Sequence, residues 1–329
     1  MNPPLNPRPN SSPTHQPITL QDLEKIRLDY LITRKIVGIF FTITIIVLVI
    51  LTILSAIYAF TFLSSPTPHP QQAPPAKTIL EVFIIITICT LCLSSIATVV
   101  SLYIHSPYTL KYRLAYKSYY IAGTLAQIFD HAIHYHDKGI PEQTLLQTNM
   151  IYTGDTYSSE DYISGSYKGI SFEQSDVFIR EHITRDEPSC ITLFSGRWLI
   201  FDFPRKFHFK MAVVGKNFKA SRISPREALT VESPEFNKMY RVFAQDGTEA
   251  FYLLPPDIIS ALEALGKKHH KNIFLAFLDN KLHIAIGGLD DSLEPPSPKK
   301  PIDPQREFVK VTEDLQLITR IIDSLKLDH

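Results

Sequence analysis

The feature that most constrains this chain is a pair of long uncharged segments near its N-terminus. Residues 36–63 contain no charged side chain, and residues 82–104 form a second uncharged run. A helix needs about 20 apolar residues to cross the hydrocarbon core of a bilayer, which is roughly 30 Å thick. Both runs reach that length, and buried core helices rarely supply two such runs in succession. The sequence therefore predicts two transmembrane helices.

A cleavable signal peptide is the alternative interpretation of the first run. The apolar region of a signal peptide is about 7–15 residues long and lies close to the N-terminus. The first run is longer, begins after 35 residues, and ends at Leu63-Ser64-Ser65, which lacks the small-residue pattern of a cleavage site. We therefore expect it to remain as a membrane helix.

Basic residues beside the two runs predict the orientation. Lys77 is the one lysine or arginine between the runs, whereas eight others flank them: Arg8, Lys25, Arg27, Arg34, Lys35, Lys111, Arg113 and Lys117. Positively charged flanks are retained in the cytoplasm. Both termini should therefore be cytoplasmic, in a multi-pass protein of the cell inner (cytoplasmic) membrane. A single cysteine in the C-terminal part, Cys190, fits a reducing compartment.

Composition and periodicity divide the chain around these runs. A Pro-, Asn- and Ser-rich start offers no periodicity, and a capping-box-like start at Thr19 opens an amphipathic pattern. The neck helix is expected to pack on the first cytoplasmic helix. The predicted segments are a disordered leader (1–17), an amphipathic cytoplasmic helix (18–35), transmembrane helix 1 (36–63), a Pro-rich outside hairpin (64–81), transmembrane helix 2 (82–104), an amphipathic neck helix (105–138) and a cytoplasmic domain (139–329).

Beyond residue 139 the apolar pattern changes to alternation, which is typical of strands. Residues 198–203 and 207–213 are predicted to be neighbouring antiparallel strands. Residues 273–277 and 282–286 flank Asp279-Asn280 and are predicted to form a hairpin. Strands with helices among and after them indicate an α+β fold with a mixed, mainly antiparallel sheet and flanking helices.

Two helices are predicted in this domain. The first covers residues 256–265 and is expected to end at Gly266. The second carries Phe308, Val311, Leu315, Ile318, Ile322 and Leu325 on one face and follows a Pro-rich linker at residues 294–304. That apolar face can complete the core of its own domain, or it can bind a protein partner or a second copy of the chain.

Several ordered blocks resemble a known family. They are residues 133–140 (IHYHDKGI), 160–169 (EDYISGSYKG), 193–203 (LFSGRWLIFDF) and 231–256 (VESPEFNKMYRVFAQDGTEAFYLLPP), followed by residues 282–286 and 315–327. Over roughly residues 130 to 329 the chain resembles the bacterial membrane-protein family catalogued as domain of unknown function 3137. The resemblance implies a membrane-associated protein, and it supplies no activity or catalytic residues to transfer.

The densest group of candidate ligands is Asp130-His131-Ala132-Ile133-His134-Tyr135-His136-Asp137. On a helix, His131 and His134 would share a face and could chelate a divalent metal. The alternative is a helix end at which imidazoles are favoured by the helix dipole. No further ligand element with metal-binding spacing accompanies the pair, so neither a metal nor another cofactor is predicted.

A compact basic run, Lys267-Lys268-His269-His270-Lys271, follows Gly266. Lys267, Lys268 and Lys271 could contact anionic phospholipid headgroups, and a solvated helix end is the alternative. The chain has no sustained basic stripe, so nucleic acid is not an expected partner.

Two classes of function remain. No P-loop, nucleophile elbow or dinucleotide fingerprint is present, so no catalytic residue is predicted. A membrane-tethered binding or scaffolding module is the preferred hypothesis, with the lipid bilayer and a protein partner as its contacts. A membrane-associated enzyme of unknown chemistry is the alternative.

Overall fold

The computed structural model describes residues 18–64, 76–184, 188–202, 210–224, 228–244, 251, 253–270, 272–289 and 293–325. The chain forms two compact units. The first comprises Met1–Ala115 and Pro296–Ile302, and the second comprises Tyr116–Pro295 and Asp303–His329. The predicted leader and most of the predicted outside hairpin lie beyond the described residues.

Two long helices begin the described chain. Helix α1 spans Leu20–Ser64 and α2 spans Ala76–Ile128. The predicted cytoplasmic helix and the first apolar run are therefore one continuous helix. Thr19 caps α1, because its hydroxyl accepts a hydrogen bond from the Asp22 amide at 3.2 Å while the Asp22 carboxylate accepts one from the Thr19 amide at 3.1 Å. This reciprocal pair is the predicted capping box.

Among the described residues, one helical segment is long and apolar enough to cross a membrane. It is Leu20–Tyr58 in α1, and none of its apolar window is buried. In α2 the described apolar stretch is Thr87–Val100, which is shorter. The structure thus supports one membrane-length helix where the sequence predicted two. Several side chains of the second uncharged run are not among those that the structure describes.

Both helices contribute to the first unit, together with the segment Pro296–Ile302. The rings of Tyr30 in α1 and Tyr112 in α2 are 6.1 Å apart between centroids. This contact confirms that the amphipathic start of α1 packs on the start of the predicted neck helix. The Ile302 amide donates to the Glu24 carboxylate at 2.9 Å. The predicted linker before the last helix is therefore held against α1.

The second unit is built on one eight-stranded sheet. Its order is β1-β2-β3-β4-β8-β7-β5-β6, and every neighbouring pair is antiparallel. This confirms the α+β class, although the predicted mixed sheet has no parallel pair among the described strands. The strands are β1 His131–Tyr135, β2 Thr156–Tyr167, β3 Ile170–Thr184, β4 Pro188–Asp202, β5 Met211–Gly215, β6 Tyr240–Ala244, β7 Ile273–Leu278 and β8 Lys281–Gly287.

Both faces of this sheet are covered. On one face Trp198 is fully buried, with its ring 5.7 Å from that of Phe274 and 5.9 Å from that of Phe194. Leu145 and Phe218 belong to the same apolar cluster. The other face carries the helices Pro256–Lys268 and Pro304–Ser324. The shorter helices of the second unit are α3 Glu142–Leu146, α4 Pro234–Met239, α5 Pro256–Lys268 and α6 Pro304–Ser324.

Helix α6 packs on the sheet of its own chain. Asp303 caps it by accepting from the Arg306 amide at 3.2 Å. Val311, Leu315 and Ile318 on its apolar face are fully buried, and an ion pair joins the helix to β4. This confirms the first of the two alternatives for the last helix, in which it completes its own core.

Two predicted elements have different neighbours or ends in the structure. The predicted strands around residues 198–203 and 207–213 are not adjacent, because the β7–β8 hairpin lies between β4 and β5. That hairpin is itself as predicted, with Leu278 paired to Lys281 across Asp279 and Asn280. The predicted neck helix of residues 105–138 ends at Ile128, because residues 131–135 pair with β2 as strand β1.

Gly266 does not end the helix that contains it. Helix α5 continues to Lys268, and a Cβ atom at Gly266 would lie 2.6 Å from the hydroxyl oxygen of Tyr240. That hydroxyl donates to the Leu262 carbonyl at 2.7 Å. The glycine therefore permits a close side-chain approach, a role different from the predicted termination.

Candidate binding site

The predicted histidine pair lies on a strand. His131 and His134 are three positions apart in β1, so their side chains point to opposite faces of the sheet. The metal hypothesis assumed that the two histidines share one face of a helix. That assumption is wrong, because they lie on a strand. His134 Nε2 lies 3.0 Å from Asp161 Oδ1. Within the described parts of the chain, no group of three or more His, Cys, Asp or Glu side chains is placed to hold a metal ion.

Asp161 is the centre of a buried ion cluster, which we call the Lys117 cluster. It consists of Lys117, His134, Asp161 and Glu294. Asp161 sits at a β-bulge in β2 with φ of 54°. Lys117 Nζ lies 2.6 Å from Asp161 Oδ2 and 2.6 Å from Glu294 Oε1. The cluster therefore ties the last part of α2 to the sheet.

Pairing fixes the charge of this cluster. Burial alone would raise the pKa of Asp161, but hydrogen bonds from His134 and Lys117 outweigh it and lower that pKa. Burial would likewise lower the pKa of Lys117, whereas its hydrogen bonds to Asp161 and Glu294 raise it. Asp161 and Lys117 are therefore held ionised as a pair. Such an arrangement stabilises a position and does not favour proton transfer.

A second group, the Arg197 cluster, consists of Arg197, Asp176 and Asp314. Arg197 on β4 is almost fully buried. Its Nε lies 3.2 Å from Asp176 Oδ1 on β3, and its Nη1 lies 2.5 Å from Asp314 Oδ2 on α6. Burial opposes the guanidinium charge, but the carboxylates of Asp314 and Asp176 raise the pKa of Arg197. The cluster therefore joins α6 to the centre of the sheet.

Some polar atoms around the Arg197 cluster have no hydrogen-bond partner among the residues that the structure describes. They are Asp176 Oδ2, Arg197 Nη2 and both amide atoms of Gln174. Burial raises the pKa of Asp176, although Arg197 opposes that effect. Asp176 also lines a cavity of about 270 Å³ with its cross-strand partner Glu160 and with Ser195. This polar cavity could bind a small polar group, or could place a protonated carboxyl beside it.

The more apolar cavity is a groove between α5 and α6, about 280 Å³ in volume. We call it the α5–α6 groove. Its size is just below the roughly 300–1,000 Å³ of ligand pockets, and it shares their mainly apolar lining with a few polar groups. Its floor is formed by Leu275 of β7 and Ile284 of β8. The helices supply the remaining lining: Ala261, Leu262, Ala264, Leu265, Lys268, Leu317, Arg320, Ile321, Ser324 and Leu325.

One of the three predicted membrane-contact lysines lies at this groove. Lys268 is one of its lining residues. Lys267 points to Glu235, with Nζ 4.0 Å from Oε1, and Lys271 lies outside the described residues. The structure thus places one of the three lysines at the groove. Membrane contact by these lysines stays a prediction.

Sequence reasoning missed both ion clusters and the groove. Arg197 did carry a signal, since it is the one basic residue in the mainly apolar run of residues 193–203, whose other charge is Asp202 near its end. Such a residue must find a partner when its strand is buried on both faces. Lys117 and Asp161 gave no comparable signal, because they are 44 residues apart and meet only through the fold.

One comparison with known protein families matches the C-terminal part of the chain. The family model described as "Protein of unknown function (DUF3137)" matches residues 192–327. This confirms the resemblance over the part of the sheet domain that contains Arg197 and the α5–α6 groove. No curated protein matches the chain.

Among solved structures, the chain is similar to the crystal structure of the mycobacterial trehalose monomycolate transport factor A, TtfA. The identity is 10%, and the match covers 63% of this chain and 95% of that chain. The TM-score is 0.35. A TM-score this low does not establish a common fold.

Proposed function

We propose that this protein is a multi-pass protein of the cytoplasmic membrane that holds an α+β binding module on the cytoplasmic side. The membrane-length helix Leu20–Tyr58 supports the tether. The second uncharged run, residues 82–104, falls within the continuous helix α2 and supports a second span. Basic residues before the first run and after the second favour cytoplasmic termini.

The single observation that carries the binding role is the α5–α6 groove. Its lining is mainly apolar and includes both helices and the sheet, so the groove offers an apolar ligand a concave surface. The charges of the two ion clusters pair with one another, so we do not assign the binding role to them. A protein partner at α6 would use residues outside its buried face, such as Phe308 and Val309, which are about 39% and 47% exposed.

The tether is tested by cysteine accessibility in cells. Cys190 is exposed, so a variant with Cys89→Ser and Cys92→Ser leaves one reporter in the domain. A membrane-impermeant maleimide should label Cys190 only after permeabilisation. A cysteine introduced at Gln71 should be labelled in intact cells. Labelling of Cys190 in intact cells would overturn the cytoplasmic assignment.

The binding role is tested by filling the groove. Ala264→Phe adds a ring to a lining position, and Ser260→Phe adds the same ring to an exposed position of α5 outside the lining. Native mass spectrometry of the full chain, extracted in a mild detergent, should show a copurifying molecule that A264F loses and S260F keeps. Equal retention by both variants would contradict the groove as the binding site.

A membrane-associated enzyme is the second candidate, and Asp176 is the observation that favours it. Its carboxyl lines the polar cavity, and burial raises its pKa, as a general acid requires. If the protein is an enzyme working there, Asp176→Asn should abolish turnover and leave groove binding intact. Loss of groove binding together with turnover would instead indicate damage to the fold.

A further inference from the structure

We propose that the α5–α6 groove binds the acyl chain of a single-chain anionic amphiphile of the fatty-acid class, with Lys268 and Arg320 holding its head group. This rests on the proposed function, because it names the ligand class of the same groove. Three properties of the groove support it: an apolar floor, cationic side chains in an otherwise uncharged lining, and a small cross-section.

The interior of the groove matches hydrocarbon. Leu262, Leu275 and Ile284 are about 1% exposed, and Leu317 and Ile321 are 7% and 5% exposed. These residues are aliphatic and come from both helices and the sheet. In the same lining Ala264 is exposed and Ala261, Leu265 and Leu325 are partly exposed. An alkyl chain lying against these side chains removes apolar surface from water without leaving a buried polar group unpaired.

The charge of the lining selects an anion. Among the described residues that line the groove, Lys268 and Arg320 are the two that carry a charge, and none is a carboxylate. Within the described chain neither side chain forms an ion pair. Arg320 Nη2 donates to the Glu313 carbonyl at 2.7 Å, and a guanidinium has five donors, so others are available. Both cations lie at exposed positions beside the apolar lining, where a carboxylate could accept from them.

The size of the groove favours an extended occupant. An α-helix with its side chains is about 10–12 Å across, so the backbone of a helix would lie over the opening of a groove of about 280 Å³ and not inside it. A single extended alkyl chain can enter that space. The tether would keep the domain close to a bilayer, which is a source of amphiphiles.

The test uses the full chain in nanodiscs and two photoactivatable probes that carry the same diazirine-labelled alkyl chain. One probe is a fatty acid and the other is its methyl ester. After irradiation, mass spectrometry quantifies labelling of the peptides that contain residues 261–268 and 317–325. We expect the acid to label these peptides about tenfold more than the ester, since two cations near one anion supply that preference.

Two variants separate head-group and chain contacts. The pair Lys268→Gln and Arg320→Gln should lower labelling by the acid to the level of the ester, while A264F should lower labelling by both probes. Lys238→Gln and S260F are the matched controls, since Lys238 is an exposed lysine and Ser260 an exposed α5 position, both outside the groove lining. Thermal unfolding followed by Trp198 fluorescence verifies that every variant is folded.

The possible failures are distinguishable. Equal labelling by acid and ester would overturn the anionic head group. Stronger labelling by a two-chain anionic phospholipid carrying the same diazirine would overturn the single-chain assignment. Either result leaves the groove as a binding site. Absence of labelling by every probe, together with equal retention of copurifying molecules by A264F and S260F, would overturn the proposed function as well.

Discussion

The helix-facing side of the sheet differs between its two halves. In β3 and β4 this side carries Asp176 and Arg197, which pair across the strands. In β7 and β8 the same side carries Leu275 and Ile284, which also pair across the strands. One helix, α6, extends over both halves, since Asp314 binds Arg197 and Leu317 lines the groove above Leu275.

The difference shows two ways in which a helix is held on a sheet. In the charged half, α6 is fixed by an ion pair of defined geometry, whose loss would leave buried charges without partners. In the apolar half, aliphatic contacts are not directional, and α5 and α6 leave a groove between them. The charged half therefore holds α6 by a directional contact, and the apolar half contains the groove that we propose as a binding site.

The largest expected effect comes from breaking the charged half. Arg197→Met removes the partner of Asp176 and Asp314, both largely shielded from solvent. The free energy of unfolding should fall by about 3–5 kcal/mol. Urea unfolding of the full chain in nanodiscs measures it, because the single tryptophan, Trp198, is fully buried in the sheet domain.

The control for this prediction is Lys281→Gln. Lys281 pairs with Asp202 at 2.7 Å on the same sheet, but both side chains are about 40% exposed. Its loss should cost less than about 1 kcal/mol. Replacing Asp176 and Asp314 by leucine in the R197M background should recover much of the stability. Equal stability of R197M and K281Q would show that the charged half does not fix α6.

Substituting leucines of α6 by alanine compares a contact inside the packed core with a contact at the groove. Leu315 is fully buried, so Leu315→Ala should cost about 2–5 kcal/mol. Leu317 lines the groove, where removed carbons extend an existing opening, so Leu317→Ala should cost under about 2 kcal/mol. The same urea unfolding experiment ranks them. A larger cost for L317A would mean that the groove is closed in solution.

Acid should weaken the β7–β8 half of the sheet through His283, whose side chain lies on the Trp198 face. Burial, with a smaller contribution from Lys281, lowers the pKa of His283 from 6.5 to about 4. The unfolded chain therefore takes up a proton near pH 6.5 that the folded chain resists until about pH 4. Stability present above pH 6.5 is lost as the pH falls, by about 2 kcal/mol at pH 5.

Unfolding of the wild type and of His283→Gln between pH 7.5 and 5 measures this loss. Glutamine can still accept a hydrogen bond from the Trp198 indole, which lies 3.4 Å from His283 Nδ1. The H283Q curve should be flatter than the wild-type curve. His136→Gln, at an exposed position, should leave the slope unchanged. Burial also lowers the pKa of His269 to about 4, so a part of the slope should remain in H283Q. If H283Q kept the full wild-type slope, the acid sensitivity would belong to another group.

The smallest expected effect is at the surface end of α6. Lys168 Nζ lies 2.6 Å from Asp323 Oδ1, but both side chains are nearly half exposed. Lys168→Gln should change the free energy of unfolding by at most about 1 kcal/mol and should lose even that in 1 M salt. A larger, salt-independent loss would indicate that this pair also positions the helix.

Sequence patterns predicted elements better than their arrangement. Alternation and turn residues identified the β7–β8 hairpin, and helical spacing identified α6. Both depend on neighbours within a few residues. The same reasoning failed at His131 and His134, where helical and strand patterns overlap in a short polar segment. The segment becomes strand β1 because it pairs with residues 162–166. The residues near the histidines do not predict this pairing.

The sequence by itself determined the membrane-length apolar helix, the α+β class and the amphipathic terminal helix, because each follows from periodicity or from uninterrupted apolar length. Tertiary structure alone decided that β8 and β7 lie between β4 and β5, that Lys117 meets Asp161, and that α5 and α6 flank a groove. The physical reason is distance along the chain. Arg197 and Asp314 are 117 residues apart, so their pairing depends on folding the residues between them and not on any pattern near either one.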